Sequence, residues 1–114
     1  MTAQIRRTSW VAAAVVAMAL TLSASDRAGA VPRAVTVDVK NFAFQPGSVT
    51  VAAGTTVTWL NDDEEPHTIT SAEGVFKSAA LDSTERFSYT FTKPGTYHYF
   101  CALHPHMHAD IIVR

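Results

Sequence analysis

The closing segment of the chain gathers three kinds of metal-binding side chain within a few residues. Cys101 is the only cysteine, His104 follows it after two intervening residues, and Met107 follows His104 after two more. A thiolate, an imidazole and a thioether form a set of soft and borderline ligands, which suits copper that works as both Cu(I) and Cu(II). A further histidine, His67, lies far upstream. The spacing therefore favours one copper site, provided that these four side chains meet in the folded chain.

Each of the four residues also has an ordinary structural explanation. A lone cysteine is usually a small buried apolar residue, and a methionine often packs in a core. His67 follows an acidic loop, residues 62–65, and would suit the surface there. Their combination favours metal binding, because a trigonal set of two histidines and one cysteine with a long axial methionine is the arrangement of blue-copper sites.

The elements that must position these ligands are predicted to be β-strands. Val35, Val37 and Val39 alternate with polar residues, as in a half-buried strand. Similar runs follow, separated by turn signals such as Pro46-Gly47, and no stretch has convincing helical periodicity. The predicted strands lie around Val35–Val39 with a continuation to Phe44, Val49–Val51, Thr55–Leu60, His67–Thr70, Phe87–Phe91, Thr96–Cys101 and Ala109–Val113. Some eight short strands predict an all-β fold, an antiparallel β-sandwich or barrel.

The strand predicted over Thr96–Cys101 sets the direction of the cysteine. Because successive side chains of a strand point to opposite faces, Tyr97, Tyr99 and Cys101 share one face, and we expect this aromatic face to be the inner one. His98 then faces away from Cys101 as a surface or packing residue. The ligand loop follows directly and is held by strands at both ends, so we expect a rigid site in which little reorganises when a redox metal changes its charge.

The ligand set argues against enzymatic chemistry. A hydrolytic zinc site keeps an open position for water, whereas four protein ligands leave none. No carboxylate lies at a motif spacing near the ligands to act as a base, and oxidase chemistry would need further copper centres. We therefore expect a protein that is not an enzyme.

The first 30 residues have the pattern of a secretory signal peptide. Arg6 and Arg7 form a positive n-region, the run from Trp10 to Leu22 is almost wholly apolar, and Ala28-Gly29-Ala30 is a small-residue cleavage signal. The apolar run is short for a membrane span. We predict cleavage after Ala30, with Ser23-Ala24-Ser25 as the alternative signal. An uncleaved anchor is the competing hypothesis, and the paired arginines leave general and twin-arginine export both open.

Removal of residues 1–30 leaves one small domain, residues 31–114, in the periplasm or outside the cell. Its 84 residues include nine acidic and six basic ones, a net charge of −3 with neutral histidines, and they form no basic stripe. This charge pattern argues against nucleic acid as a partner. We expect a monomer with no membrane segment in the mature form. A lone cysteine cannot form an internal disulfide, so we expect a bound metal to stabilise this small domain instead.

These patterns together resemble the cupredoxins, and within them the amicyanin group of bacterial blue copper proteins. The motifs that carry the resemblance are Asn41-Phe42-x-Phe44-x-Pro46, Val57-Thr58-Trp59-Leu60-Asn61, Pro66-His67 and Pro94-Gly95-Thr96-Tyr97-x-Tyr99-x-Cys101-x-x-His104-Pro105-x-Met107. Two residues on each side of His104 make the short amicyanin-type loop, whereas plastocyanins and pseudoazurins have more residues before the methionine. The resemblance implies a Greek-key β-sandwich and one-electron transfer in the periplasm. Its single copper ion would be held by His67, Cys101 and His104, with Met107 axial.

Two departures from the family pattern concern the surroundings of the ligands. Thr68 stands where the family often has an asparagine that ties the two ligand loops together. Its hydroxyl can still donate or accept a hydrogen bond, and its backbone N–H can still point at the cysteine sulfur. His106 stands where amicyanin-like loops often have an aromatic residue, and His108 follows the methionine.

The leading functional hypothesis is an electron carrier that cycles one copper ion between Cu(I) and Cu(II). By resemblance, redox partner proteins would dock briefly around His104, within an apolar collar of Leu103 and Pro105. The alternative is a copper-binding or copper-handling protein, because His104-x-His106-x-His108 resembles a simple histidine chelate. We expect residues 62–65 to form a solvated loop rather than a docking patch.

Overall fold

The computed structural model describes Ala3 and residues 33–114. Apart from Ala3, the predicted signal peptide lies outside these described residues. Within them, no helix is both long enough and apolar enough to cross a membrane. Residues 33–114 form eight strands, β1 (Ala34–Lys40), β2 (Ala43–Gln45), β3 (Ser48–Val51), β4 (Thr55–Asn61), β5 (Thr70–Ser71), β6 (Arg86–Phe91), β7 (Gly95–Phe100) and β8 (His108–Val113).

The strands build two four-stranded sheets, in the orders β2-β1-β4-β6 and β3-β8-β7-β5. The expected all-β sandwich of about eight strands is confirmed. Its sheets are mixed, where the sequence predicted antiparallel pairing, because β1 runs parallel to β4 and β3 runs parallel to β8. Local alternation of apolar residues predicts that a strand exists, but it carries no information about the direction of a neighbour that is distant in the chain.

The core lies between the sheets, and its centre is aromatic. Every second residue of β4 is buried, so Trp59 points inward together with Val57 and Asn61. Trp59 contacts the ring of Tyr99 on β7 edge-on at a centroid distance of 5.4 Å, and it stacks on Phe76 at 5.7 Å. Tyr99 is followed two residues later by Cys101, which is also buried. The predicted inner face of β7 is therefore confirmed, and Cys101 lies in the core just after the end of this strand.

The segment between β1 and β2 is a turn and not the continued strand that the sequence predicted. The alternation of Phe42 with Phe44 predicted a continued strand, but Asn41 and Phe42 form a turn in which both residues have φ of 55°. Phe44 is buried, whereas Phe42 keeps 40% of its surface exposed. Two successive non-glycine residues in the left-handed region are uncommon and need compensating contacts.

The outer face of β7 carries an ion pair with β8. His98 lies opposite Asp110 in the antiparallel register, and its Nδ1 hydrogen-bonds the Asp110 carboxylate. The His98 side chain is 60% exposed and the Asp110 side chain is 42% exposed, which confirms the prediction that His98 faces away from Cys101. The hydrogen bond and charge of Asp110 raise the pKa of His98 above its ordinary value of 6.5, with a smaller contribution from Glu73.

We expect Asp110→Asn to lower the pKa of His98 toward 6.5, because the favourable carboxylate is removed. Since the folded-state pKa is raised, the pair stabilises the fold fully below pH 6.5, and this contribution is lost as pH rises through the raised pKa. An NMR titration of the His98 ring protons measures the shift. Asp82→Asn removes an exposed carboxylate elsewhere and serves as the control. Equal His98 pKa values in the parent protein and Asp110→Asn would contradict the assignment.

Candidate metal centre

Three of the four predicted ligands converge at one end of the sandwich. The ligand atoms of His67, Cys101 and His104 all lie within 4.8 Å of one another. The Cys101 sulfur is 3.7 Å from Nδ1 of His67 and 3.7 Å from Nδ1 of His104. His67 and Cys101 are fully buried, whereas His104 is partly exposed. His67 is fully buried, so its alternative explanation as an ordinary surface histidine is excluded.

Met107 ends the ligand loop. Its side chain is buried and belongs to the same core cluster as Cys101. The backbone N–H of Cys101 donates to the Met107 carbonyl at 3.0 Å. Within the loop, His104 N–H donates to the Cys101 carbonyl at 3.2 Å and Met107 N–H donates to the His104 carbonyl at 2.9 Å. These three backbone hydrogen bonds hold the loop in a compact shape. This agrees with the expectation of a rigid loop held between two strands.

Thr68 connects the loop of His67 to the loop of Cys101. Its backbone N–H donates to the cysteine sulfur at 3.3 Å. Its hydroxyl oxygen accepts a hydrogen bond from Ala102 N–H at 2.7 Å, and it lies 2.9 Å from the hydroxyl of Thr70. Threonine therefore makes both contacts that the sequence predicted for this position. The N–H aimed at the sulfur stabilises a thiolate, since hydrogen bonds to the charged form favour it.

Thr68→Val is expected to destabilise the copper-free protein by about 1–2 kcal/mol, because Ala102 N–H loses its acceptor while the shape of the side chain is kept. Chemical denaturation measures the loss. Thr56→Val is the matched control, because its hydroxyl bonds Thr90 on an exposed surface. If both variants lose the same free energy, the hydroxyl of Thr68 does not connect the loops.

The acidic loop contains a residue that the sequence did not distinguish. Asp63 is only 10% exposed, and its Oδ2 lies 2.9 Å from Nε2 of His67. Burial opposes its ionisation, but hydrogen bonds from the backbone N–H groups of Phe42 and Asn41 and from His67 outweigh this and lower the pKa of the carboxyl below 3.8. The solvated-loop interpretation is therefore wrong for Asp63, while Asp62, Glu64 and Glu65 are exposed.

Phe42 is a second residue at the site whose place there the sequence did not predict. Its ring meets the ring of His67 edge-on at a centroid distance of 5.3 Å and the ring of His104 at 5.0 Å. The only available signal was the resemblance motif that begins at Asn41-Phe42, and that motif does not specify contact with the ligands.

His106 and His108 are both exposed. The His106 ring lies 6.4 Å from the His104 ring between centroids. Among residues 33–114, the grouping of potential metal ligands includes His104 with His67 and Cys101 and leaves out His106 and His108. The geometry therefore groups His104 with His67 and Cys101 rather than with His106 and His108.

The donor set fits copper. Two imidazole nitrogens and one thiolate sulfur, with a thioether residue buried beside them, are the ligand types that borderline and soft metals prefer. The surrounding core excludes water from the cysteine side, and the Thr68 N–H already points at the sulfur.

Comparison with known proteins agrees with this geometry. The model of the cupredoxin-like domain matches residues 11–113. Amicyanin from Paracoccus denitrificans is 35% identical over 86 residues, which cover 71% of this chain and 66% of that protein, slightly less than two thirds of its length. The Cu(I) form of a mutant of amicyanin superposes with a TM-score of 0.68 at 32% identity, covering 76% of this chain and 88% of that one.

A larger protein also contains a similar unit. The copper-containing nitrite reductase of Thermus scotoductus SA-01 matches with a TM-score of 0.68 at 32% identity over 73% of this chain, but this region is only 23% of the reductase. The likeness therefore concerns one part of that enzyme.

Proposed function

Because this chain belongs to the cupredoxin-like family, we propose that it is a one-electron carrier with a single copper ion that cycles between Cu(I) and Cu(II). One observation carries the proposal. Two imidazole Nδ1 atoms lie 3.7 Å from one buried cysteine sulfur, on loops whose backbone and side chains are already hydrogen-bonded. A site built in this way needs little rearrangement when its charge changes.

The proposed ligands are His67, Cys101 and His104, with Met107 axial. When bound, the copper would supply the one-electron redox change, and the protein would hold its ligands in place. The Thr68 N–H bond stabilises negative charge on sulfur. The backbone hydrogen bonds among Cys101, His104 and Met107 limit the movement of the loop.

Electrons would enter and leave at the His104 side. His104 is the partly exposed member of the buried cluster. Leu103 is 50% exposed and Phe42 is 40% exposed beside it, so the site is bordered by apolar side chains. We propose that redox partner proteins dock here transiently, since an apolar contact surface excludes water without demanding a large interface.

Two measurements on the copper-loaded protein test the proposal. We expect an intense thiolate-to-copper absorption band and a reversible one-electron couple in voltammetry. An oxidised, Cu(II)-loaded protein without this band, or a couple that is irreversible at all scan rates, would refute an electron carrier. The same preparation, given excess nitrite and a reductant, should show no turnover, because we propose a carrier and not an enzyme.

The alternative function is copper handling, and the exposed His106 and His108 favour it. An imidazole near His104 would offer copper a first contact on its way to or from the buried site. Fast electron self-exchange with retained copper supports the carrier. Ready transfer of copper to an acceptor chelator, slowed by a His106→Ala and His108→Ala double variant, supports the handler.

We also propose that residues 1–30 are an export signal and that the domain of residues 31–114 works in the periplasm or outside the cell. The charged n-region, apolar run and small-residue cleavage signal support this proposal. Intact-mass measurement of the exported protein is the test. A mass that retains residues 1–30 would contradict the proposed cleavage.

A further inference from the structure

The Asp63 carboxylate lies at the centre of a hydrogen-bond cluster behind the metal centre. Its Oδ1 accepts from Asn41 N–H at 2.7 Å, and its Oδ2 accepts from Phe42 N–H at 3.0 Å. The same Oδ2 lies 2.9 Å from Nε2 of His67. The side chain is 10% exposed, so these contacts are poorly screened by water. The Asp63 carboxylate therefore contacts both the turn between β1 and β2 and the proposed ligand His67.

The contact with the turn compensates for its backbone conformation. Asn41 and Phe42 both have φ of 55°, a strained conformation that persists only where surrounding contacts hold it. Hydrogen bonds to an ionised acceptor are stronger than those between neutral groups. The two bonds that Asp63 accepts therefore keep the turn in this shape. The turn also places the Phe42 ring against the rings of His67 and His104.

The contact with the ligand sets the tautomer of His67. A carboxylate can only accept hydrogen bonds, so the proton of the neutral ring lies on Nε2. The lone pair is then on Nδ1, the atom that faces the Cys101 sulfur at 3.7 Å. A carboxylate in this position also makes the imidazole a more basic ligand.

We propose that Asp63 is a positioning residue that fixes both the His67 tautomer and the Phe42 ring, and thereby sets the balance between Cu(II) and Cu(I). The proposal rests on the proposed copper function. Negative charge behind a ligand favours the more highly charged metal ion. Loss of the carboxylate therefore shifts the equilibrium toward Cu(I).

Asp63→Asn and Asp62→Asn form a matched pair for the test. Each substitution removes one negative charge from the same loop. The Asp62 side chain is exposed. The backbone hydrogen bond from Asp62 N–H to the Val39 carbonyl does not depend on the side chain, so Asp62→Asn keeps it. We expect Asp63→Asn to shift the Cu(II)/Cu(I) equilibrium tenfold or more toward Cu(I), which is a rise of about 59 mV for a one-electron couple. Asp62→Asn should shift it less than threefold. Equal shifts in the two variants would overturn the proposal.

A second readout needs no copper. In ¹⁵N NMR spectra of the copper-free protein, His67 should be the Nε2-protonated tautomer, and the amides of Asn41 and Phe42 should exchange slowly. Asp63→Asn should lose both features, whereas Asp62→Asn should keep them. An unchanged tautomer and unchanged amide exchange in Asp63→Asn would also overturn the proposal. Because this readout works without metal, failure of the copper function and failure of the role of Asp63 are distinguishable.

Asp63→Glu separates positioning from a merely structural role and covers the case in which Asp63→Asn does not fold. Glutamate keeps a carboxylate that can reach the same donors with a longer side chain. We expect it to keep the His67 tautomer and to recover more than half of the shift in the equilibrium. Circular dichroism shows whether Asp63→Glu is folded. If the folded variant loses the His67 tautomer and shifts the Cu(II)/Cu(I) equilibrium as much as Asp63→Asn does, the carboxylate does not act as proposed.

Discussion

Cys101→Ser is expected to abolish both the intense absorption band and the reversible redox couple of the copper-loaded protein. The serine hydroxyl stays protonated at neutral pH and is a hard ligand, so the site keeps two imidazoles but loses the thiolate that retains Cu(I). Absorption spectra and voltammetry measure the loss. A retained intense band would show that the colour does not come from this sulfur, and it would contradict the assigned ligand set.

The fold should survive the same substitution, which makes the spectroscopic loss interpretable. Cys101 is fully buried, and serine has nearly the same shape. The Thr68 N–H that donates to sulfur can donate to the new oxygen instead. A buried hydroxyl that is only partly hydrogen-bonded destabilises by about 1–3 kcal/mol. Circular dichroism of the copper-free variant should therefore show the parent fold with a lower denaturation midpoint.

Trp59→Ala is expected to cause the largest loss of stability, about 3–5 kcal/mol in the copper-free protein. Trp59 is fully buried, and its ring contacts Tyr99, Phe76, Phe87 and Phe91. Domains of this size are stable by only about 5–15 kcal/mol, so the variant would be near the threshold of folding. Urea denaturation of copper-free protein measures the change.

Trp59→Phe is the matched control for this prediction. The indole Nε1 of Trp59 is buried and has no hydrogen-bond partner within the described part of the chain. Phenylalanine removes this polar group and keeps an aromatic ring in the cluster, so we expect less than half of the loss seen in Trp59→Ala. A larger loss in Trp59→Phe than in Trp59→Ala would show that the stabilisation is not due to ring packing.

The ligand loop of the candidate metal centre was largely predictable, because the residue types and their spacing are local features of the sequence. Alternation on β7 placed Tyr99 and Cys101 on the inner face, and residues 101–107 are too short a segment to separate their side chains widely. The backbone bonds from Cys101 to Met107 are the consequence of that shortness. His67 was predicted because the site lacked a fourth ligand, and not because of the residues that surround it in the sequence. The structure adds its full burial and its 3.7 Å distance from the sulfur.

The surroundings of His67 were not predictable in the same way. Residues 62–65 are four acidic side chains in a row, and nothing in their order distinguishes Asp63. The parallel register of β1 with β4 pairs Val39 with Asn61. This register brings the turn at Asn41 and Phe42 to the loop that follows β4, where Asp63 meets it.

The sequence by itself determined the kinds of candidate ligand, their spacing in the closing loop and the all-β class. These properties follow from residue types and short-range periodicity, which are readable along one strand or loop. Only the tertiary structure decided which acidic residue supports His67, that Phe42 covers the histidines, and that the sheets are mixed. Each of these depends on the pairing of segments that are distant in the chain, such as Asn41 with Asp63. Such pairing is set by packing of the whole core, which no local pattern records.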